Sequence, residues 1–170
     1  MKQSPGNATH EWIRGIVEHY EKPLISYAQR VLGDSERARD VVQDTFLQLC
    51  RQPKEKLGDN VAAWLYTVCR NRALDVCKKE SRMSHVSDPE TTAIESREPD
   101  QLQQLESLET ALSAKQLLNK LPDQQQEVIR LKVAHELSYR EISDITGLTV
   151  SNVGYLLHTG LKSLREQFTG

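Results

Sequence analysis

The stretch SYREISDITGLTVSNVGYLLHTGL, residues 138–161, decides the fold of the C-terminal half of the chain. Ser138 with Glu141 three residues later fits a capping box, which predicts the start of a short helix. Gly147 suits the tight turn that ends this helix, and a longer helix is expected from about Val150. The spacing therefore predicts a short helix, a glycine turn and a long helix, which together form a helix-turn-helix unit.

Apolar spacing divides this unit into an inner and an outer side. In the short helix, Ile142 and Ile145 are expected to face inward. The inward positions expected in the long helix are Val150, Val153, Leu157, Gly160, Leu161, Leu164 and Phe168. A further helix is predicted before the unit, with Pro122 near its first position. Its apolar positions are Val128, Ile129, Leu131 and Val133.

The outer side of the long helix is a candidate for DNA binding, because the second helix of such a unit normally lies in the major groove. The side chains on this side are polar, aromatic or cationic: Ser151, Asn152, Tyr155, His158, Thr159 and Lys162. A plain helical hairpin or a dimerisation module would show the same apolar spacing, so both remain alternatives.

Upstream, the stretch WLYTVCRNRALDVCKKESR, residues 64–82, continues a helix expected from about Val61. Its core face is expected to contain Val61, Leu65, Val68, Cys69, Ala73 and Val76. Arg72 lies close to this face, so we expect it to extend along the surface or to pair with an acid rather than to reach DNA.

A second stripe on this helix advances by three or four residues at each step: Trp64, Thr67, Asn71, Asp75, Lys78 and Arg82. Cations bind phosphates, an aromatic ring stacks on an unpaired base, and amide and hydroxyl groups bond to base edges. The stripe therefore favours a nucleic-acid surface. A solvated face with Trp64 packed on a neighbouring helix is the alternative.

Two helices are predicted before this one. The first runs from about Thr9 to Leu32, and Pro23 is expected to bend or divide it. Gly33 ends it, and Asp34 is placed to cap the next helix, SERARDVVQDTFLQLCRQ. The buried stripe expected in that helix is Ala38, Val41, Val42, Thr45 and Leu49.

Charged residues are unevenly distributed along the chain. The net charge of −2 argues against a stand-alone, nonspecific nucleic-acid binder. Residues 84–110 hold seven acids, one cation and two prolines, which predicts a flexible acidic linker. The predicted fold is all-α, with two small helical domains at 1–83 and 109–170 joined by a linker at 84–108.

Catalysis, cofactors and membranes find little support in the sequence. The five histidines are scattered, and the three cysteines lack CxxC spacing, so we expect no metal, cofactor or catalytic site. No apolar run is long enough for a membrane span, and the N-terminus has no signal core, which predicts a cytoplasmic protein without membrane insertion.

Three segments together resemble a known family: ARDVVQDTFLQLCRQ at 38–52, WLYTVCRNRALDVCKKESR at 64–82 and LPDQQQEVIRLKVAHELSYREISDITGLTVSNVGYLLHTGLKSLRE at 121–166. Their order and spacing resemble the extracytoplasmic-function group, group IV, of the sigma-70 family of bacterial sigma factors. The resemblance implies a sigma-two-like helical bundle and a sigma-four-like helix-turn-helix domain. It also implies a specificity subunit, without its own catalytic site, that directs promoter-specific transcription initiation.

The resemblance assigns partners to three surfaces. Contacts to the clamp helices of the β′ subunit of core RNA polymerase would come from Asp40, Gln43, Asp44 and Leu47. Contacts to the minus-ten promoter element would come from Trp64, Thr67, Arg70, Asn71, Lys78, Lys79 and Arg82. Contacts to the minus-thirty-five element would come from Arg140, Ser151, Asn152, Tyr155, His158, Thr159 and Lys162.

Further implications concern neighbouring segments and partners. The loop at 56–60 resembles one that holds a flipped base, the C-terminal domain would also bind the β flap, and the acidic linker would follow the path of the RNA. An anti-sigma partner is common in the family.

The chain departs from the family pattern in its cations. The family often has an arginine run where this chain has KKESR, and basic residues where it has Gly154, Leu156 and Thr159. Fewer phosphate contacts predict weak DNA binding by the free protein, with useful affinity only when polymerase tethers both domains. A stand-alone helix-turn-helix regulator and a purely protein-binding helical adaptor remain the alternatives.

Overall fold

The computed structural model describes residues 5–57, 59–83 and 112–169, and the linker predicted at 84–108 lies outside them. The chain divides into two compact units, Met1–Thr92 and Ala93–Gly170. All regular secondary structure in the described residues is helical, which confirms the all-α prediction. The exact domain boundaries stay a prediction.

The first unit contains a short helix, α3 (Lys54–Leu57), and three longer ones: α1 (Pro5–Leu32), α2 (Ser35–Arg51) and α4 (Val61–Met83). Gly33 takes a left-handed φ of 71° between α1 and α2. The Asp34 carboxylate then accepts from the backbone N–H groups of Glu36 and Arg37 at 2.8 and 3.2 Å, so the predicted cap of α2 is confirmed. The helix α3 includes the first two residues of the loop expected at 56–60.

The core of the first unit lies where α1, α2 and α4 pack together. The buried stripe of α2 is confirmed in full: Ala38, Val41, Val42, Thr45 and Leu49. In α4, Leu65, Cys69 and Ala73 are buried as predicted, whereas Val61, Val68 and Val76 are only half-buried. Tyr66, which the predicted core face omitted, is 1% exposed.

Of the two effects expected of Pro23, division of the first helix is wrong, because α1 continues through it, and a bend stays a prediction. A proline inside a helix removes one hydrogen bond and crowds the preceding turn. Buried side chains flank it on both sides, with Ile16 before it and Leu24 and Tyr27 after it. Packing of these turns against α2 and α4 therefore outweighs the local cost.

The described part of the second unit contains α5 (residues 112–119), α6 (Asp123–Val133), α7 (Tyr139–Thr146) and α8 (Val150–Thr169). Pro122 lies just before α6, at its cap position. The capping box is confirmed, since Glu141 N–H donates to Ser138 Oγ at 3.2 Å and Ser138 N–H donates to Glu141 Oε2 at 2.7 Å. Gly147 ends α7 with a φ of 75°.

The inner side of α8 is narrower than predicted. Val153, Leu157 and Gly160 are buried, and Leu164 is half-buried. The inward placement of three further side chains is wrong, since Val150, Leu161 and Phe168 are 48%, 39% and 51% exposed. In α6, Val133 is likewise exposed. These residues follow the apolar spacing of their helices. They are exposed because, among the described residues of this unit, no other helix packs over them.

Candidate nucleic-acid interface

The outer stripe of α4 changes from half-buried to exposed along its length. Trp64, Thr67 and Arg70 are half-buried. The residues that follow are exposed: Asn71, Asp75, Lys78, Lys79 and Arg82. A half-buried aromatic ring, followed by an amide and several cations, has the groups that stack on a base and bind phosphates.

Two hydrogen bonds set the start of this stripe. Asn60 lies just before α4, where its side-chain oxygen accepts from Ala63 N–H at 3.4 Å and its backbone carbonyl accepts from Trp64 N–H at 3.3 Å. The Thr67 hydroxyl donates to the Ala63 carbonyl at 2.7 Å, so its proton is used within the helix and its oxygen remains an acceptor. These hydrogen bonds therefore fix the start of α4 at the turn that contains Trp64.

The predicted polymerase contacts lie on the solvent side of α2. Asp40, Gln43 and Asp44 are exposed, and Leu47 is 55% exposed. A large apolar side chain open to solvent among polar groups is a feature of protein-binding surfaces, although a single exposed leucine is common on any protein. The structure places the four residues on one side of the helix, opposite its buried stripe.

Arg72 connects this α2 face to α4. Its Nη1 donates to Asp44 Oδ2 at 3.0 Å, which confirms the expected pairing with an acid. With its amide oxygen turned toward the guanidinium, Gln48 accepts from Arg72 Nη2 at 2.7 Å and from Nε at 3.1 Å. Sequence patterns contain no signal for this role of Gln48, because it depends on how α2 and α4 pack.

An open groove of ≈ 480 Å³ lies between α2 and α4 around this ion pair. Its lining combines apolar with polar and charged side chains: Val41, Asp44, Gln48, Val68, Asn71, Arg72, Asp75, Val76 and Lys79. One predicted polymerase contact, Asp44, and two predicted DNA contacts, Asn71 and Lys79, therefore border the same groove.

The outer face of α8 is mostly open, as predicted. The exposed members of the set are Arg140 of α7 and Ser151, Asn152, Tyr155, His158 and Lys162 of α8. Thr159 differs, since it is half-buried, accepts from Gln125 Nε2 at 3.0 Å and donates to the Tyr155 carbonyl at 2.9 Å. Its hydroxyl is therefore turned toward α6 and is less accessible than the others.

Tyr139 and Lys132 were not predicted as part of this face. The Lys132 ammonium lies 5.4 Å from the centre of the Tyr139 ring. The edge of the same ring lies 3.6 Å from the position that a Cβ would occupy at Gly154. A Cβ at this distance would make an ordinary van der Waals contact, so the Tyr139 ring lies beside the first turns of α8 without requiring glycine at position 154. The sequence shows a tyrosine after the cap but not this contact.

The three cysteines are free thiols that differ in burial. Cys69 is buried, and this burial raises the pKa of its thiol to about 12, with a smaller opposing effect from a hydrogen bond with Thr45. Burial also raises the pKa of the half-buried Cys77. Within the described ranges, no three His, Cys, Asp or Glu side chains are grouped as metal ligands would be, and no helix there is both long and apolar enough to cross a bilayer.

Two family models match the two units. The Sigma-70 region 2 model matches residues 16–83, and the Sigma-70, region 4 model matches residues 111–164. The ECF RNA polymerase sigma factor SigL of Mycobacterium tuberculosis is 30% identical over 158 residues, which cover 90% of this chain and 86% of SigL. The chain belongs to the ECF RNA polymerase sigma factors. As such it is an alternative sigma factor, which directs promoter-specific transcription initiation by RNA polymerase.

Other relatives agree with this assignment. RNA polymerase sigma factor YlaC of Bacillus subtilis is 27% identical over 159 residues, 92% of this sigma factor and 92% of YlaC. A co-crystal structure of the sigma factor RpoE with the anti-sigma factor NepR from Bartonella quintana has a TM-score of 0.69 and 24% identity. It covers 92% of this chain and 96% of that chain, and it shows a likeness in fold.

Proposed function

We propose that this sigma factor binds its partners through three separate surfaces. The α2 face (Asp40, Gln43, Asp44 and Leu47) binds the β′ clamp helices of core RNA polymerase. The α4 stripe captures the unpaired strand of the minus-ten element through Trp64, Thr67, Arg70, Asn71, Lys78, Lys79 and Arg82. The α7–α8 face binds the minus-thirty-five element through Arg140, Ser151, Asn152, Tyr155, His158, Thr159 and Lys162, and its domain binds the β flap.

The observation that carries the proposal is the arrangement of α4 within the part that matches Sigma-70 region 2. A half-buried Trp64 begins the stripe, and the exposed Asn71, Lys78 and Lys79 follow it on the same helix. A solvated helix face has no need of a large aromatic ring in line with an amide and cations, whereas a single-stranded DNA site uses all three.

Three further properties of this sigma factor are its lack of catalysis, its location and its regulation. It supplies promoter specificity and has no catalytic site of its own, since polymerase makes the RNA. It works in the cytoplasm, where its polymerase partner and promoter DNA are found. An anti-sigma factor regulates it, as supported by the complex of the sigma factor RpoE with the anti-sigma factor NepR.

Removing two cations of the α4 stripe tests this assignment. The double variant Lys78→Ala, Lys79→Ala should bind core polymerase as the wild type does, because both residues lie outside the α2 face. Loss of two phosphate contacts should lower open-complex formation at moderate salt by at least tenfold. Permanganate footprinting measures promoter opening, and co-purification measures core binding.

A matched control removes two exposed cations from α1 in the same unit, as Arg14→Ala with Lys22→Ala. This variant has the same net charge as the test variant and should open promoters at the wild-type level. Equal promoter opening by the two double variants would rule out a role for Lys78 and Lys79 at the minus-ten element.

A further inference from the structure

Arg72 is placed between two surfaces to which different partners are assigned. Its guanidinium contacts Asp44, a proposed polymerase contact, while Arg72 itself borders the groove with Asn71 and Lys79, which are proposed DNA contacts. Arginine presents several N–H donors in a fork that fits phosphate oxygens as well as carboxylates. Arg72 thus has the donor groups of a DNA contact, but its guanidinium is already paired with the Asp44 carboxylate.

The ion pair is accessible and can be displaced. The side chains of Arg72 and Asp44 are 38% and 51% exposed, so solvent screens their attraction. Pairs of this kind favour the paired state by only about two- to fivefold. Any polymerase group that binds the Asp44 carboxylate must donate a hydrogen bond to it, and a cationic donor would also repel Arg72.

A displaced Arg72 would not travel far to reach DNA. It directly follows Asn71 in α4, and Lys79 lies two turns further on beside the same groove. The long arginine stem allows the guanidinium to turn from the α2 side of the groove to the side that Asn71 and Lys79 border. Release would add one cation to a surface on which this chain carries KKESR rather than a run of arginines.

We propose that Arg72 is a further DNA-binding residue, which Asp44 holds in the free protein and which becomes available when polymerase engages Asp44. This inference rests on the proposed function of the α2 face and the α4 stripe. It gives a physical reason for the weak DNA binding that we expect of the free protein, and it predicts that polymerase increases this binding beyond the effect of tethering.

The test uses the full chain without polymerase and a labelled single-stranded DNA of random sequence at low salt, followed by fluorescence anisotropy. Asp44→Asn should bind this DNA up to about fivefold more tightly, because it removes the carboxylate that pairs with Arg72 and leaves the neutral Gln48 amide as a weaker partner. The double variant Asp44→Asn, Arg72→Ala should lose that gain. Arg72→Ala alone should change the affinity of the free protein less than twofold.

A control separates release of Arg72 from the general effect of removing a negative charge. Asp75→Asn removes a carboxylate from the same groove. Its effect on DNA affinity should be the same in the wild-type and the Arg72→Ala backgrounds. If the gain from Asp44→Asn also persists without Arg72, the proposal is overturned. Thermal unfolding confirms that each variant is folded, and Arg72→Gln replaces Arg72→Ala if the latter is not.

A second arm uses holoenzyme. Arg72→Ala should lower promoter opening by at least threefold while core binding stays normal, and unchanged opening would overturn the proposal. Core binding by Asp44→Asn tests the polymerase assignment separately. Normal core binding by that variant would contradict the role of Asp44 in the proposed function, whereas the Arg72 dependence of free DNA binding would be unaffected.

Discussion

Cys69 lies among buried side chains of α1, α2 and α4, where its thiol is withdrawn from solvent. Because burial disfavours the thiolate, the pKa of Cys69 rises from an ordinary 9.0 to about 12 in the folded protein. The unfolded chain therefore loses this proton at a lower pH than the folded protein does. The stability linked to this thiol is fully present below pH 9 and is lost as pH rises toward 12.

This linkage predicts a pH-dependent loss of stability. Between pH 8 and pH 10, Cys69 should lower the free energy of unfolding by about 1 kcal/mol, because each pH unit above the unfolded pKa costs about 1.4 kcal/mol. Urea unfolding at the two pH values measures this loss. Cys69→Ala should be less stable at both values but should show a loss that is smaller by this amount.

Cys50 provides the control, since its thiol is on the exposed side of α2. Cys50→Ala should retain the full pH dependence of the wild type. If Cys69→Ala and Cys50→Ala showed the same change in stability between the two pH values, the thiol of Cys69 would not be the group responsible.

Single residues were predictable where local spacing decides their surroundings. The buried stripe of α2 and the Asp34 cap follow from helical periodicity and from caps a few residues away. Tyr66 was missed because its burial depends on Tyr27 of α1, whose ring lies 5.5 Å away in an edge-on arrangement. The pairing of Arg72 with an acid was predicted, but its partner Asp44 lies 28 residues earlier, so its identity required the structure.

At the scale of helices, the contact between α6 and α8 depends on Gly160. A Cβ added there would lie 2.8 Å from Ile129 Cδ1 and 3.5 Å from Gln125 Cβ. The first distance is shorter than normal carbon contacts, so α8 approaches α6 closely only because residue 160 has no side chain. Gly160 is buried, in agreement with its predicted inward position.

Two glycine substitutions in α8 should therefore have different effects. Gly154→Ala adds a methyl group at an ordinary 3.6 Å from the Tyr139 ring and should stabilise by about 0.5–1 kcal/mol through helix propensity. Gly160→Ala should be less stable than Gly154→Ala by at least about 1 kcal/mol, because the Ile129 side chain must move. Chemical unfolding of the full chain measures both.

Shortening Ile129 distinguishes this contact from a general effect of alanine. Ile129→Val removes the Cδ1 atom that the new methyl group would meet. In the Ile129→Val background, Gly160→Ala should lose much less free energy of unfolding than it does in the wild-type background. An equal penalty in both backgrounds would show that the contact with Ile129 does not limit residue 160.

Helix boundaries followed from the sequence where capping chemistry marks them, as at Asp34, Ser138 and Gly147. Pro23 does not divide α1, because the rule for proline concerns an isolated helix, whereas packing of the turns on both sides holds α1 together. The exposure of Leu161 and Phe168 was missed because the prediction assumed packing that is absent there. Their apolar spacing continues along α8 past the point where other described helices cover it.

At the scale of the whole molecule, charge and chain organisation favour dependence on polymerase. The net charge is −2, and the two units each carry a proposed DNA surface with few cations. Each domain alone should therefore bind DNA weakly, and we expect polymerase to raise the affinity by holding both surfaces near the promoter. The presence of two helical domains was predictable from composition and motif order, whereas the groups that share the α2–α4 groove were not.

Salt dependence tests how few phosphates the free protein contacts. Lys162→Ala should reduce the slope of log affinity against log salt by about 1 on duplex DNA, because it removes one phosphate contact. The exposed Lys115 of α5 lies outside the proposed face and serves as the control. An identical slope for wild type, Lys162→Ala and Lys115→Ala would show that Lys162 does not contact a phosphate.

The central claim is that this sigma factor selects promoters through two DNA surfaces while bound to core polymerase. Run-off transcription of fragmented genomic DNA by core polymerase, with and without the protein, tests it most directly. We expect transcripts that require the protein and start downstream of a shared two-part motif, and we expect Lys78→Ala with Lys79→Ala to reduce them. Transcripts that do not require the protein, or that share no upstream motif, would contradict the claim.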